Sequence, residues 1–191
     1  MTRQRIFTLL LVVVPMALVS IATAAQDRST LKSANGIGFA EFKGYEAWAV
    51  IAPSFPDNAG GCGSAKNGCI KAIVGNPAMI KAYAAGGPST AQPAPDGAAM
   101  AKIEWSSKHV PGPPYAVTAP GTLAAISFML KDAKRFPDTN GWGYVTFTYD
   151  AATDTFKPST DNPEVMRTSC HACHIRGAKA HDFVYTSFAK R

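Results

Sequence analysis

Four cysteines stand in two close pairs, Cys62 with Cys69 and Cys170 with Cys173, and His174 directly follows the second pair. In Cys170-His171-Ala172-Cys173-His174, two thiols three residues apart share one side of a helical turn, and the next residue projects an imidazole beside them. This is the C-x-x-C-H spacing that lets two thiols bond to the vinyl groups of a haem while the adjacent histidine takes the iron. Cys170 and Cys173 are thus candidate thioether anchors and His174 the candidate axial ligand of a single covalent haem c. A redox-active C-x-x-C of the thioredoxin kind expects a βαβ context, which this sequence lacks around the motif. A zinc site would need two further ligands at suitable spacing.

The sixth position on the iron decides what such a haem does. Only 17 residues follow His174 and none is methionine, which excludes the topology with an N-terminal motif and a methionine ligand far downstream. Met79, Met100, Met129 and Met166 lie upstream, where apolar methionines are usually core filler. His171 is tethered to the proximal side by the motif itself, and His181 reads as a surface residue. The expectation is an open sixth site that a small molecule can reach. A C-terminal motif also suits a four-helix bundle, but Pro and Gly interrupt most of the windows such helices would need.

The chain has 191 residues with 14 Pro and 16 Gly, enough for one domain of short elements joined by turns. Arg3 and Arg5 precede an apolar run from Ile6 to Ala22, which leads to the small residues Thr23, Ala24 and Ala25. That is the pattern of a secretory signal peptide over 1–24; the alternative is an uncleaved anchor, since a mainly apolar run of 17 residues sits at the short limit for a bilayer span. Cleavage after Ala24 would leave 167 residues in the periplasm, with a formal charge of +4 in place of +6, and no membrane attachment. No run of Lys or Arg remains to track phosphates, which disfavours nucleic acid as a partner. A mild positive charge suits encounters with an acidic redox partner.

The elements that must position the motif are legible in outline. Residues 25–40 read as a flexible lead-in and 41–191 as the folded domain. Tyr45–Pro53 and Cys69–Gly75 read as strands, and Pro53–Gly68 as a glycine-rich loop. Asn76 caps a short helix with Pro77 at its first position and Gly86 at its end. Ala99–Trp105 alternates, placing Met100, Lys102 and Glu104 on one face and Ala101, Ile103 and Trp105 on the other. Thr122–Leu130 fits strand or helix by period, and its Ile126 and Phe128 favour strand. Trp142–Tyr149 is a strand, Asp150–Pro163 a turn-rich connection, Pro163-Glu164 a helix start leading into the motif, and Phe183–Thr186 an extended segment. The fold class is α+β, a mainly antiparallel sheet with a few short helices and a C-terminal haem-attachment helix.

With these segments in order, the chain resembles the cytochrome P-460 family, which includes the cytochromes c′-beta. The resemblance runs from about Tyr45 to Phe188 through Tyr45-Glu46-Ala47-Trp48, Gly75-Asn76, Pro95-Asp96-Gly97, Ala98 to Trp105, Lys131 to Phe136, Gly141-Trp142, Cys170 to His174 and Asp182 to Thr186. It implies an antiparallel sheet, one haem c near the C-terminus and commonly a homodimer. It also implies that Lys102 matches the lysine bonded to the haem ring in members that oxidise hydroxylamine; in members that bind gases that lysine is free. Glu104, on the same strand face, is a candidate distal base, with a surface carboxylate as its plain alternative. Cys62 and Cys69 are not required by the family pattern. In an oxidising compartment they suit a structural disulfide closing an eight-residue loop, worth about 2–3 kcal/mol, with a redox-active pair as the alternative. Two functions follow: binding or transforming small nitrogen species such as hydroxylamine or nitric oxide, as an oxidoreductase, or non-enzymatic gas binding or electron transfer.

Overall fold

Alternation in the sequence becomes a single sheet with both faces covered. The computed structural model describes residues 25–56, 68–112 and 114–189. Its six strands run antiparallel in chain order: β1 (Ala49–Ser54), β2 (Cys69–Gly75), β3 (Ala99–Val110), β4 (Val117–Lys131), β5 (Trp142–Asp150) and β6 (Thr155–Pro158). The ambiguous stretch at 122–130 is strand, and its register sets Ala101 opposite Phe128 and Phe128 opposite Val145. One residue along, Lys102 faces Ser127 and Ser127 faces Thr146. Side chains of neighbouring residues point to opposite faces, so these two adjacent rows serve opposite sides of the sheet.

The first face is closed by aromatic rings. Ala101, Ile126, Phe128, Val145 and Phe147 project into a cluster with Phe39, Phe42, Tyr45 and Phe156. Phe42 stacks on Phe128 with centroids 4.0 Å apart, and Phe39 meets Phe128 edge-on at 5.6 Å. Each such pair adds about 0.5–1.5 kcal/mol beyond the area it buries. Phe39, Phe42 and Tyr45 come from two short 3-10 turns, Phe39–Phe42 and Tyr45–Ala47. Tyr45–Ala47 is therefore not strand: Gly44, at φ +82°, turns the chain so that Tyr45 covers the sheet before β1 begins at Ala49. Residues 25–40, read as a flexible lead-in, also make contacts here. Ile37 is fully buried, and the Gln26 side chain bonds both backbone groups of Phe156. Pro53 lies inside β1, which tolerates it as an edge strand paired only with β2.

The second face is covered by α1 (Pro77–Ala84), by the C-terminal segment and by the helix that carries the motif. α1 begins as the sequence predicts, since the Asn76 side chain accepts from Met79 N at 2.9 Å. The same side chain accepts from Ala99 N at 3.1 Å and donates to Gly97 O at 2.8 Å, pinning the helix to the start of β3. The chain becomes helical near Val165, passes through a π-helical turn at Met166–His171 and continues as α2 (Ala172–Ala178). β6 lies within the stretch expected to be only a turn-rich connection. Phe183–Thr186 pairs with no strand; Asp182 and Phe183 instead take left-handed backbone, with φ of +48° and +64°.

Candidate functional site

Between the second face of the sheet and the motif helix lies a cavity of about 400 Å³. From the helix side it is lined by Cys170, Cys173 and His174, and from the sheet side by Lys102, Ser127 and Thr146 among others. Its remaining wall is largely apolar, supplied by Ile73, Met100, Met129 and Val184 with the ring of Tyr144. The three motif residues and Lys102 are 68 or more positions apart in sequence, and the sheet register brings them to one space.

His174 is held by a single strong contact. Its Nδ1 lies 2.6 Å from the Phe183 carbonyl oxygen. A carbonyl can only accept, so Nδ1 carries the proton and Nε2 keeps its lone pair free for a metal. Burial pushes the imidazole pKa down, the Phe183 bond opposes that shift, and the Lys102 charge adds to it. The rings of Tyr144 and Tyr185 pack on either part of the imidazole, each with its centroid 4.9 Å away. The Tyr185 hydroxyl donates to Cys173 O at 2.7 Å. Tyr185 can lie this close because residue 177 is glycine: a Cβ there would come within 2.4 Å of the phenol ring.

His171 is not a second ligand but part of the frame. It is 2 % exposed, with Nε2 3.0 Å from the Asn140 side-chain oxygen and Nδ1 3.0 Å from the Tyr144 hydroxyl. With an oxygen facing Nε2, that nitrogen donates, and Nδ1 accepts from Tyr144. Burial lowers the His171 pKa and raises that of Tyr144, so both stay neutral. His181 is exposed, as expected.

Lys102 opens onto the cavity with its side chain 41 % exposed. Desolvation lowers its pKa and repulsion from Lys71 adds to this, while Glu104 and Cys170 pull the other way. Glu104 stands behind Lys102 rather than in the cavity wall: it lies 3.9 Å from Lys102 Nζ and 3.3 Å from Lys71 Nζ. Ala101 and Ile103 pack on the opposite face as predicted, whereas Trp105 sits at a bulge in the β3–β4 pairing and is only partly buried. Of the methionines, Met79 is fully buried core, while Met100 and Met129 line the cavity. Both lie in the strand row of Tyr144, whose ring meets His174.

The donor set fits a haem. Cys170 and Cys173 are free thiols facing one cavity; burial holds the Cys170 thiol up in pKa, and Lys102 offsets part of that. Among the described residues no group of three His, Cys, Asp or Glu could hold a metal ion. Cys69 is buried at the start of β2, and Cys62 lies outside the described residues, as does the predicted signal peptide.

A comparison with protein families adds an independent finding. The model for Cytochrome P460 matches residues 42–186, which is most of the chain. The chain belongs to the cytochrome P460 family. No curated protein matches it. The match begins at Phe42, within the turns that close the first face, and ends at Thr186 in the cavity wall. Among the described residues no helix is long and apolar enough to cross a membrane.

Sequence reasoning missed a buried ion pair next to the segment that contacts His174. Lys131 and Asp182 form an ion pair of 3.0 Å at 6 % and 4 % exposure, and neither was singled out as a site residue. The one available signal was a lysine at the end of a strand otherwise apolar on that stretch, where a buried charge requires a partner.

Proposed function

We propose that the chain is an exported mono-haem c cytochrome whose cavity binds or transforms small nitrogen species such as hydroxylamine or nitric oxide. The observation that carries this reading is the joint lining of one cavity by both motif thiols, His174 and Lys102. Cys170 and Cys173 would anchor the haem and His174 Nε2 would take its iron; the bound group supplies a metal that accepts a small ligand and passes electrons. The apolar wall excludes water and strengthens the few polar contacts inside. Lys102 Nζ, whose pKa burial lowers, faces a ligand in the cavity, and Glu104, 3.9 Å from it and paired with Lys71 at 3.3 Å, is the candidate base on the same strand face.

The oxidoreductase version makes two demands. Purified protein given hydroxylamine and an electron acceptor turns over, and mass spectrometry finds Lys102 bonded to the haem ring. No turnover and a free Lys102 leave the second reading, a gas-binding or electron-transfer cytochrome. Met100 and Met129 line the same cavity, and a methionine taking the axial position would favour electron transfer over gas binding. Periplasmic location after cleavage near Ala24, a Cys62–Cys69 disulfide, an acidic periplasmic redox partner and a homodimer complete the proposal. They rest on the sequence and on family resemblance, and the intact mass of exported protein tests the first two together.

A further inference from the structure

We infer that the buried Lys131–Asp182 pair is a positioning device for the proximal imidazole, fixing the Phe183 carbonyl that holds His174. The inference rests on the reading of His174 as axial ligand and adds two residues to that site. Asp182 and Phe183 are consecutive non-glycine residues in left-handed backbone, a conformation that persists only where the surroundings over-determine it. Here they do. The Asp182 carboxylate accepts from Lys131 Nζ at 3.0 Å through both oxygens and from Ala94 N at 2.9 Å. Its own carbonyl accepts from Trp142 Nε1 at 2.8 Å. Residue 182 is thus held at four points, the Phe183 N–H donates to Ala178 O at 2.9 Å, and between these ties the Phe183 carbonyl faces His174 Nδ1.

The same ammonium also serves the other histidine of the motif. Lys131 Nζ donates to Asn140 O at 2.9 Å, and the Asn140 side chain receives His171 Nε2. One charge thus ties together the supports of both imidazoles, and Lys131 is itself seated over the Trp142 ring at 4.9 Å. A pair of apolar side chains could fill this volume without loss of stability, since a buried ion pair is often no better than its apolar replacement. Apolar side chains could not direct a carbonyl. The Nδ1–H bond to that carbonyl makes the ring a stronger donor at Nε2, so loosening it should weaken the bond to iron and raise the reduction potential.

The test uses haem-loaded protein from an exporting host, with Asp182→Asn and the charge-neutral double variant Lys131→Met/Asp182→Asn. The double variant leaves no unpaired buried charge and so remains folded if the single one does not. Resonance Raman of the ferrous form and the midpoint potential are the readouts. The expected result is covalent haem retained, an iron–histidine stretch shifted to lower frequency and broadened, and a raised potential. An unchanged stretch and potential with a lowered thermal midpoint would overturn the inference, leaving a merely structural pair. Wild-type protein without haem on the Cys170–Cys173 peptide is a different outcome, which removes the site reading itself.

Discussion

Two adjacent rows of the same three strands end in opposite environments. Ala101, Phe128 and Val145 meet across β3, β4 and β5 and are sealed under the phenylalanine cluster, whereas Lys102, Ser127 and Thr146 meet one position along and face a cavity. In the second row the polar groups partly satisfy one another, with Thr146 Oγ1 donating to Ser127 Oγ at 2.9 Å. The contrast separates tasks: the first face supplies apolar burial and aromatic contacts, and the second gives up dense packing to leave room for a ligand. The frame around that room adds hydrogen bonds and a buried ion pair to an apolar wall.

If the faces divide the work in this way, substitutions should sort by face. The largest effect belongs to the cavity: Cys170→Ala/Cys173→Ala loses all covalently retained haem, read as the absence of haem stain on a denaturing gel. Retained stain would place the anchors elsewhere. Next, Phe128→Ala removes the ring at the centre of the first face and costs about 3–5 kcal/mol in denaturant unfolding, with the haem spectrum of the folded fraction unchanged. A spectral change there would break the separation. Asn76→Ala, which removes the α1 cap and the tie to β3, costs about 1–2 kcal/mol by the same measurement.

The smallest effect concerns the C-terminal segment over the cavity. Tyr83 donates to the Thr186 carbonyl, and burial raises its phenol from the ordinary 10.0 to about 12. Between these values the unfolded chain has lost a proton that the folded chain keeps, so stability falls as pH rises from about 10 to 12. Tyr83→Phe should flatten that part of a stability–pH curve; an unaltered slope would mean another group controls it.

What was legible in the sequence was whatever depends on near neighbours. The C-x-x-C-H motif, the Asn76 cap, the alternation of β3 and the β-branched and aromatic run of β5 all turn on residues within a few positions, and each lies on the element the pattern predicts. The turns at Phe39–Phe42 and Tyr45–Ala47 were hidden because burial against a distant sheet, rather than local period, gives them their role. Lys131 and Asp182 are 51 residues apart, and nothing in either local pattern marks the other as its partner. The left-handed backbone at Asp182 and Phe183 was hidden for the same reason, since tertiary contacts impose it. The motif points to the cofactor chemistry; the long-range contacts around its histidine became visible only in three dimensions.

The central claim is that a haem held by Cys170, Cys173 and His174 keeps a position open to small nitrogen ligands. The absorption spectrum of the ferrous protein before and after adding nitric oxide, together with that of the ferric protein before and after adding hydroxylamine, tests it most directly. The predicted result is a five-coordinate spectrum that changes on adding nitric oxide and on adding hydroxylamine. A low-spin, six-coordinate spectrum that neither ligand alters would contradict it and assign the cavity to a methionine-ligated electron carrier.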